Sequence, residues 1–204
     1  MFNFDIIKKN WDGFHRNMDI GALSGCLYDE TIDFLQVREY IVPKAMVLEM
    51  GVGLGYVTKD LSKRCFVSAL DISDIALNRV KSYCNAVYNV KDIEDIPYNT
   101  FDLILCHNLI QHIPTELLMV ELKHIIRSLK STGILAMEFV STNTINEPDC
   151  VLHYENVGCY CRTPEFMENL IHILGGKSKM IVNKQCSVNG VTGCYIFHVW
   201  KNVE

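Results

Sequence analysis

The sequence predicts an α/β domain: a mainly parallel sheet with helices on both faces. Two observations carry this. From residue 44 onward, short apolar runs of strand length alternate with runs of helical spacing, the pattern of parallel strands joined by crossover helices. The chain then closes on two β-rich runs separated only by the turn-forming NGV at 189–191. A hairpin is the simplest connection there, so one strand runs antiparallel to the rest.

The elements follow in order. The first 40 residues read as two helical segments, about 3–16 and 28–40, so residues 1–43 form a helical cap on a core spanning 44–204, within a single domain. KAMVLEM (44–50) is a buried strand, YVTKDLSKR (56–64) a helix and FVSALD (66–71) a second strand. SDIALNRVKSYC (73–84) is a helix with Ser73 as its N-cap. AVYNVKD (86–92) and FDLILCH (101–107) are the third and fourth strands. PTELLMVELKHIIRSLK (114–130) is the clearest helix, with Pro114 at its start, Glu116 in the first turn and Lys130 at the end. GILAMEFV (133–140) is the fifth strand, TPEFMENLIHILGG (163–176) a helix, and SKMIVNKQCSV (178–188) with TGCYIFHVW (192–200) the closing hairpin.

Composition narrows the function. The formal charge of −5 argues against non-specific nucleic-acid binding. No apolar run reaches the roughly 18 residues of a spanning helix, and MFNFDIIKKNWDGF carries charges where a signal's apolar core would be. A cytoplasmic protein, without membrane or nucleic-acid partners and either monomeric or homodimeric, is expected. The nine cysteines are odd in number and most stand singly in apolar segments; the C-x-C of Cys159 and Cys161 has no second pair at zinc spacing. They read as reduced thiols acting as small hydrophobes, and no metal site is expected.

The stretch VLEMGVGLGYVTKDL (47–61) places Gly51, Gly53 and Gly55 between the first strand and the first helix. Such a turn lets a ligand approach the backbone and meet a helix N-terminus. The third glycine comes one position too early for a dinucleotide fingerprint, and there is no G-K-[ST] of a P-loop. Asp71, ending the second strand, can accept both hydroxyls of a ribose. Asp92 and Ile93, after the third strand, offer a carboxylate and an N–H to an adenine edge.

These residues resemble the class I S-adenosylmethionine-dependent methyltransferases. Glu49-x-Gly51-x-Gly53-x-Gly55 is similar to that family's first motif and ALDIS, with Asp71, to its acidic second motif. VKDIEDIPYNTFDLILCHNLIQHIP (90–114), IIRSLKSTGILAMEF (125–139) and RTPEFMENLIHILGG (162–176) resemble later family stretches, with Ser131-Thr132 where the family has Pro-Gly. The resemblance covers about 44–200. It implies a Rossmann-like seven-stranded mixed sheet of order 3-2-1-4-5-7-6 with strand 7 antiparallel, and S-adenosyl-L-methionine as cofactor. It implies that Gly51 to Gly55 lie along the methionine part, with Glu49 near its ammonium group. Asp71 would hold the ribose, Ile72 would pack on the adenine, and Asp92 and Ile93 would contact the adenine edge. Cys106 and His107 would face the transferring methyl, and Trp11 joins the cofactor-binding set.

Methyl transfer needs alignment, exclusion of water and, for some acceptors, removal of a proton. His107 and His112 are the candidate bases, and Asn108 and Gln111 further polar contacts. Two variable regions are expected to cover the acceptor. One is the helical cap, with Trp11, Phe14, His15 and Tyr28. The other is the long connection 141–163, read as lacking regular structure, with His153, Tyr154, Glu155, Tyr160 and Arg162. The expected reaction is transfer to an oxygen or nitrogen of a small-molecule acceptor. The alternatives are a protein or peptide acceptor, a cofactor-binding homologue without activity, and an NAD-dependent oxidoreductase.

Overall fold

The computed structural model describes residues 4–17, 28–141, 150–154, 157–188 and 191–202. The strands are β1 (Met46–Met50), β2 (Phe66–Asp71), β3 (Ala86–Asn89), β4 (Phe101–Cys106), β5 (Leu129–Ser141), β6 (Cys150–Tyr154), β7 (Val157–Cys161), β8 (Gly176–Val188) and β9 (Val191–Lys201). The helices are α1 (Phe4–Asn17), α2 (Tyr28–Phe34), α3 (Tyr56–Leu61), α4 (Asp74–Val80), α5 (Thr115–Ser128) and α6 (Pro164–Ile173).

The main sheet has seven strands in the order β3-β2-β1-β4-β5-β9-β8. β1 runs parallel to β2 and β4, whereas β9 runs antiparallel to β5 and β8. Counted within this sheet, that is the expected 3-2-1-4-5-7-6 with its last strand reversed. Strand alternation sends neighbouring side chains to opposite faces. Leu48, Ile104 and Cys106 pack with Leu118, Leu122 and Ile171 of α5 and α6. Val47, Leu103 and Leu105 pack with Ile32, Val57 and Leu61 of α2 and α3. Helices therefore cover both faces, as the near-continuous apolar runs of the central strands require.

The structure corrects several of these expectations. The helix expected over 28–40 stops at Phe34; Gln36 adopts φ 53° and a 3₁₀ turn follows at Arg38–Tyr40. The third strand ends at Asn89, whose side chain accepts from the Lys91 N–H and opens a 3₁₀ turn over Val90–Asp95. β5 starts at Leu129, directly after α5. A Cβ on Gly133 would stand 2.4 Å from the Phe101 carbonyl oxygen, so the sheet closes around a residue without one. The connection after β5, expected to be irregular, contains the two-stranded antiparallel ribbon β6–β7. Among the described residues, no helix is long and apolar enough to cross a membrane.

The N-terminal helix α1 is fastened to the β2–α4 connection. Lys8 bridges Asp12 and Asp74, the Ser73 hydroxyl donates to Asp12 at 2.6 Å, and Arg79 donates to the His15 carbonyl at 2.5 Å. These contacts hold α1 over the C-terminal edge of the sheet.

Candidate active site

A cavity of about 300 Å³ opens at the C-terminal ends of β1, β2 and β4, where open α/β sheets bind ligands. Its floor is the β1–α3 turn. Gly51, Gly53 and Gly55 have φ of 71°, 52° and 82°, the left-handed region where a side chain is costly. A Cβ on Gly55 would meet Val80 at 2.5 Å. The turn is therefore pressed against α4 on one side while its backbone lines the cavity on the other.

Three buried carboxyls face this space: Glu49 from β1, Asp71 from β2 and Glu121 from α5. Asp71 accepts from the Ser73 N–H at 2.8 Å and the Gly53 N–H at 3.3 Å, which ties the second strand's end to the glycine turn. Burial still pushes its carboxyl up to about 6. Glu49 accepts from the Thr58 hydroxyl at 2.5 Å, and burial pushes it up to about 8. Glu121 is pushed up to about 8 by burial, with Asp71 adding to the effect.

The opposite wall carries histidines and aromatic rings. His107 Nε2 lies 3.4 Å from Glu138 Oε2, and its Nδ1 lies 3.2 Å from the Thr31 hydroxyl. Burial lowers the imidazole pKa, and the Glu138 charge opposes that shift. Asn108, at φ 52°, donates its N–H to Glu138 at 3.0 Å and accepts from Gln111 at 3.3 Å. Trp11 stacks on His15 and meets the His112 ring edge-on at 5.2 Å. His15 is buried, and that burial together with Arg79 pushes its imidazole down to about 4. The arrangement offers buried carboxyls at one end and a neutral imidazole under an aromatic roof at the other.

The structure brings most of the expected residues to this cavity: Trp11, His15, Glu49, Gly51, Gly53, Gly55, Asp71, Ile72, His107, Asn108 and His112. Others stand elsewhere. Asp92 is exposed on the 3₁₀ turn, Ile93 sits in the core, and Val90 is the residue of that segment lining the cavity. Cys106 is fully buried, because strand alternation turns it toward α5. Tyr28 packs, half-buried, on the core cluster beneath α2. Arg162 is a correction to the acceptor set. It is fully buried and donates to the carbonyls of Ile110 (3.0 Å) and Ile113 (2.5 Å) and to the Thr115 hydroxyl. The Tyr160 ring lies 5.5 Å from its guanidinium. Glu155 and the side chains of His153 and Tyr154 lie outside the described residues. Thr31, Glu121 and Glu138 were not anticipated; the available signal was a polar residue interrupting an apolar face, as Glu121 does beside Leu118, Leu122 and Ile125.

A family model described as a methyltransferase domain matches residues 47–133. No curated protein matches the chain. Among solved structures, 1,6-didemethyltoxoflavin-N1-methyltransferase of Burkholderia thailandensis, with bound 1,6-didemethyltoxoflavin and S-adenosylhomocysteine, is 14% identical with a TM-score of 0.70, covering 97% of this chain and 88% of that one. Magnesium protoporphyrin IX methyltransferase of Synechocystis, with bound S-adenosylhomocysteine, is 15% identical with a TM-score of 0.68, covering 98% and 100%. A protein of Methanosarcina mazei described as an S-adenosylmethionine-dependent methyltransferase is 15% identical with a TM-score of 0.68, covering 83% and 98%. At these identities the likeness is one of fold.

Proposed function

We infer that this chain, whose residues 47–133 match a family model of methyltransferase domains, transfers the methyl group of S-adenosylmethionine to an oxygen or nitrogen of a small molecule in the cytoplasm. The observation that carries this is the cavity in which the glycine turn, Glu49 and Asp71 meet at two adjacent strand ends.

The residues present fit that cofactor. Buried carboxyls are costly without donors, and a ligand with an ammonium group and two ribose hydroxyls brings donors to Glu49 and Asp71. The turn from Gly51 to Gly55 has no side chain at alternate positions to keep a ligand off its backbone. Ile72, Val90 and Leu117 give the apolar faces an adenine ring needs. When bound, the cofactor supplies an electrophilic methyl group on a sulfonium.

The chain's own contribution is to position, enclose and deprotonate. Trp11, Phe14 and His15 roof the cavity and exclude water. His107, kept neutral by burial, stands at the wall as the acceptor's base. His112 packs on Trp11 and holds that roof in place. An acidic chain with an acceptor wall enclosed by α1 and α2 favours a small acceptor. So do the small-molecule methyltransferases among its structural neighbours.

The test is to incubate the chain with methyl-labelled S-adenosylmethionine and a mixed pool of phenols, amines and proteins. Label in the small-molecule fraction, with stoichiometric S-adenosylhomocysteine, is the expected result. Label in protein would move the acceptor to the peptide class. Tight cofactor binding without turnover of any pool would make the chain a non-catalytic binder.

A further inference from the structure

The exposed position of Asp92 leaves the adenine edge without the carboxylate that the sequence assigns to it. The cavity supplies another. Glu121 lies on α5, one helical turn after Leu117 and on the same face, and both line the cavity. α5 packs against the Val90–Asp95 turn, whose Val90 lines the same end. Glu121 is only 3% exposed and accepts no hydrogen bond from a described residue. A carboxyl so placed is destabilising unless a ligand brings it a partner.

We propose that Glu121 reads the amino edge of the cofactor's adenine, in the position the sequence gives to Asp92. The proposal rests on the S-adenosylmethionine reading above. Its surroundings select this part of the cofactor. Leu117, Val90 and Ile72 are apolar and suit a flat ring, whereas Glu49 and Asp71 already stand at the strand ends on the glycine-turn side. Glu121 enters from α5, beside Leu117. Burial and the nearby Asp71 favour the neutral acid. A neutral carboxyl offers one donor and one acceptor, which matches adenine N1 (an acceptor) and the 6-amino group (a donor). Glutamine offers the same pair at the same reach.

Calorimetric titration of the full chain with two ligands tests this. One is S-adenosylhomocysteine; the other is its analogue with purine in place of adenine, lacking the 6-amino group. The wild type should bind the adenine compound about tenfold more tightly. Glu121→Gln should keep that preference to within about threefold. Glu121→Leu should lose it, binding both ligands about equally weakly. Glu121→Asp, which shortens the reach by one methylene, should also lose it and serves if the leucine variant does not fold. A preference kept in Glu121→Leu or Glu121→Asp, or an equal loss for both ligands, overturns the proposal while leaving the cofactor reading intact. A wild type that binds neither ligand overturns both.

Discussion

His107 Nε2 stands 3.4 Å from Glu138 Oε2, whose side chain is buried behind the cavity wall. The carboxylate favours the tautomer with the proton on Nε2. Nδ1 is left to accept from the Thr31 hydroxyl, 3.2 Å away on α2. On the proposed reading of His107 as the base, the Thr31 hydroxyl would relay the acceptor's proton to Nδ1. Burial lowers the His107 pKa, and Glu138 partly restores it. Glu138→Gln removes the restoring charge, so the His107 titration should move to lower pH. An imidazole nitrogen NMR titration reads this directly; an unchanged midpoint would uncouple the pair. Thr31→Val should cut turnover at least tenfold while leaving S-adenosylhomocysteine affinity unchanged.

Asp71→Ala should weaken S-adenosylhomocysteine binding by about 1.5–3 kcal/mol, the scale of hydrogen bonds to a charged group. Calorimetry checks it. The alanine also strands the N–H groups of Gly53 and Ser73, so a smaller loss of unfolding free energy should accompany the loss of binding.

The ligand-free protein should lose stability as pH rises from about 4.5 to about 8. Glu49 and Glu121 have folded-state values near 8, against 4.5 for the ordinary side chain. Between those limits the folded state holds protons that the unfolded state has released. The slope of unfolding free energy with pH is therefore negative, and the stabilisation is complete only below about 4.5. Glu49→Gln should flatten the fall in Tm over that window, measured by differential scanning calorimetry.

Gly55→Ala should destabilise the fold by about 1–3 kcal/mol, because it combines a left-handed backbone with a side chain driven into Val80. A denaturation curve with an unchanged midpoint would place the β1–α3 turn differently.

Much of this architecture is legible in the sequence because it rests on periodicity. β1 and β4 are apolar on both faces, α5 carries a stripe at helical spacing, and the hairpin closes on a short turn. Asp92 shows where periodicity fails. The third strand stops early because the Asn89 side chain captures the Lys91 N–H, a local competition that residue pattern alone does not rank. Arg162 shows a second failure. A cation in an irregular stretch reads as a ligand contact, but here it satisfies backbone carbonyls in the interior. Thr31 and Glu138 are 107 residues apart, and only the closing of α2 over β5 makes them neighbours of one imidazole.

The buried Arg162 has a consequence for how such a chain can diversify. Its backbone N–H is held by Val140 at 2.9 Å, and its guanidinium grips the turn carrying His112. The connection between β5 and α6 is thereby anchored at its C-terminal root, beside the ribbon strand β7. A change of sequence upstream of Cys161 that keeps this arginine therefore keeps the turn carrying His112 in place.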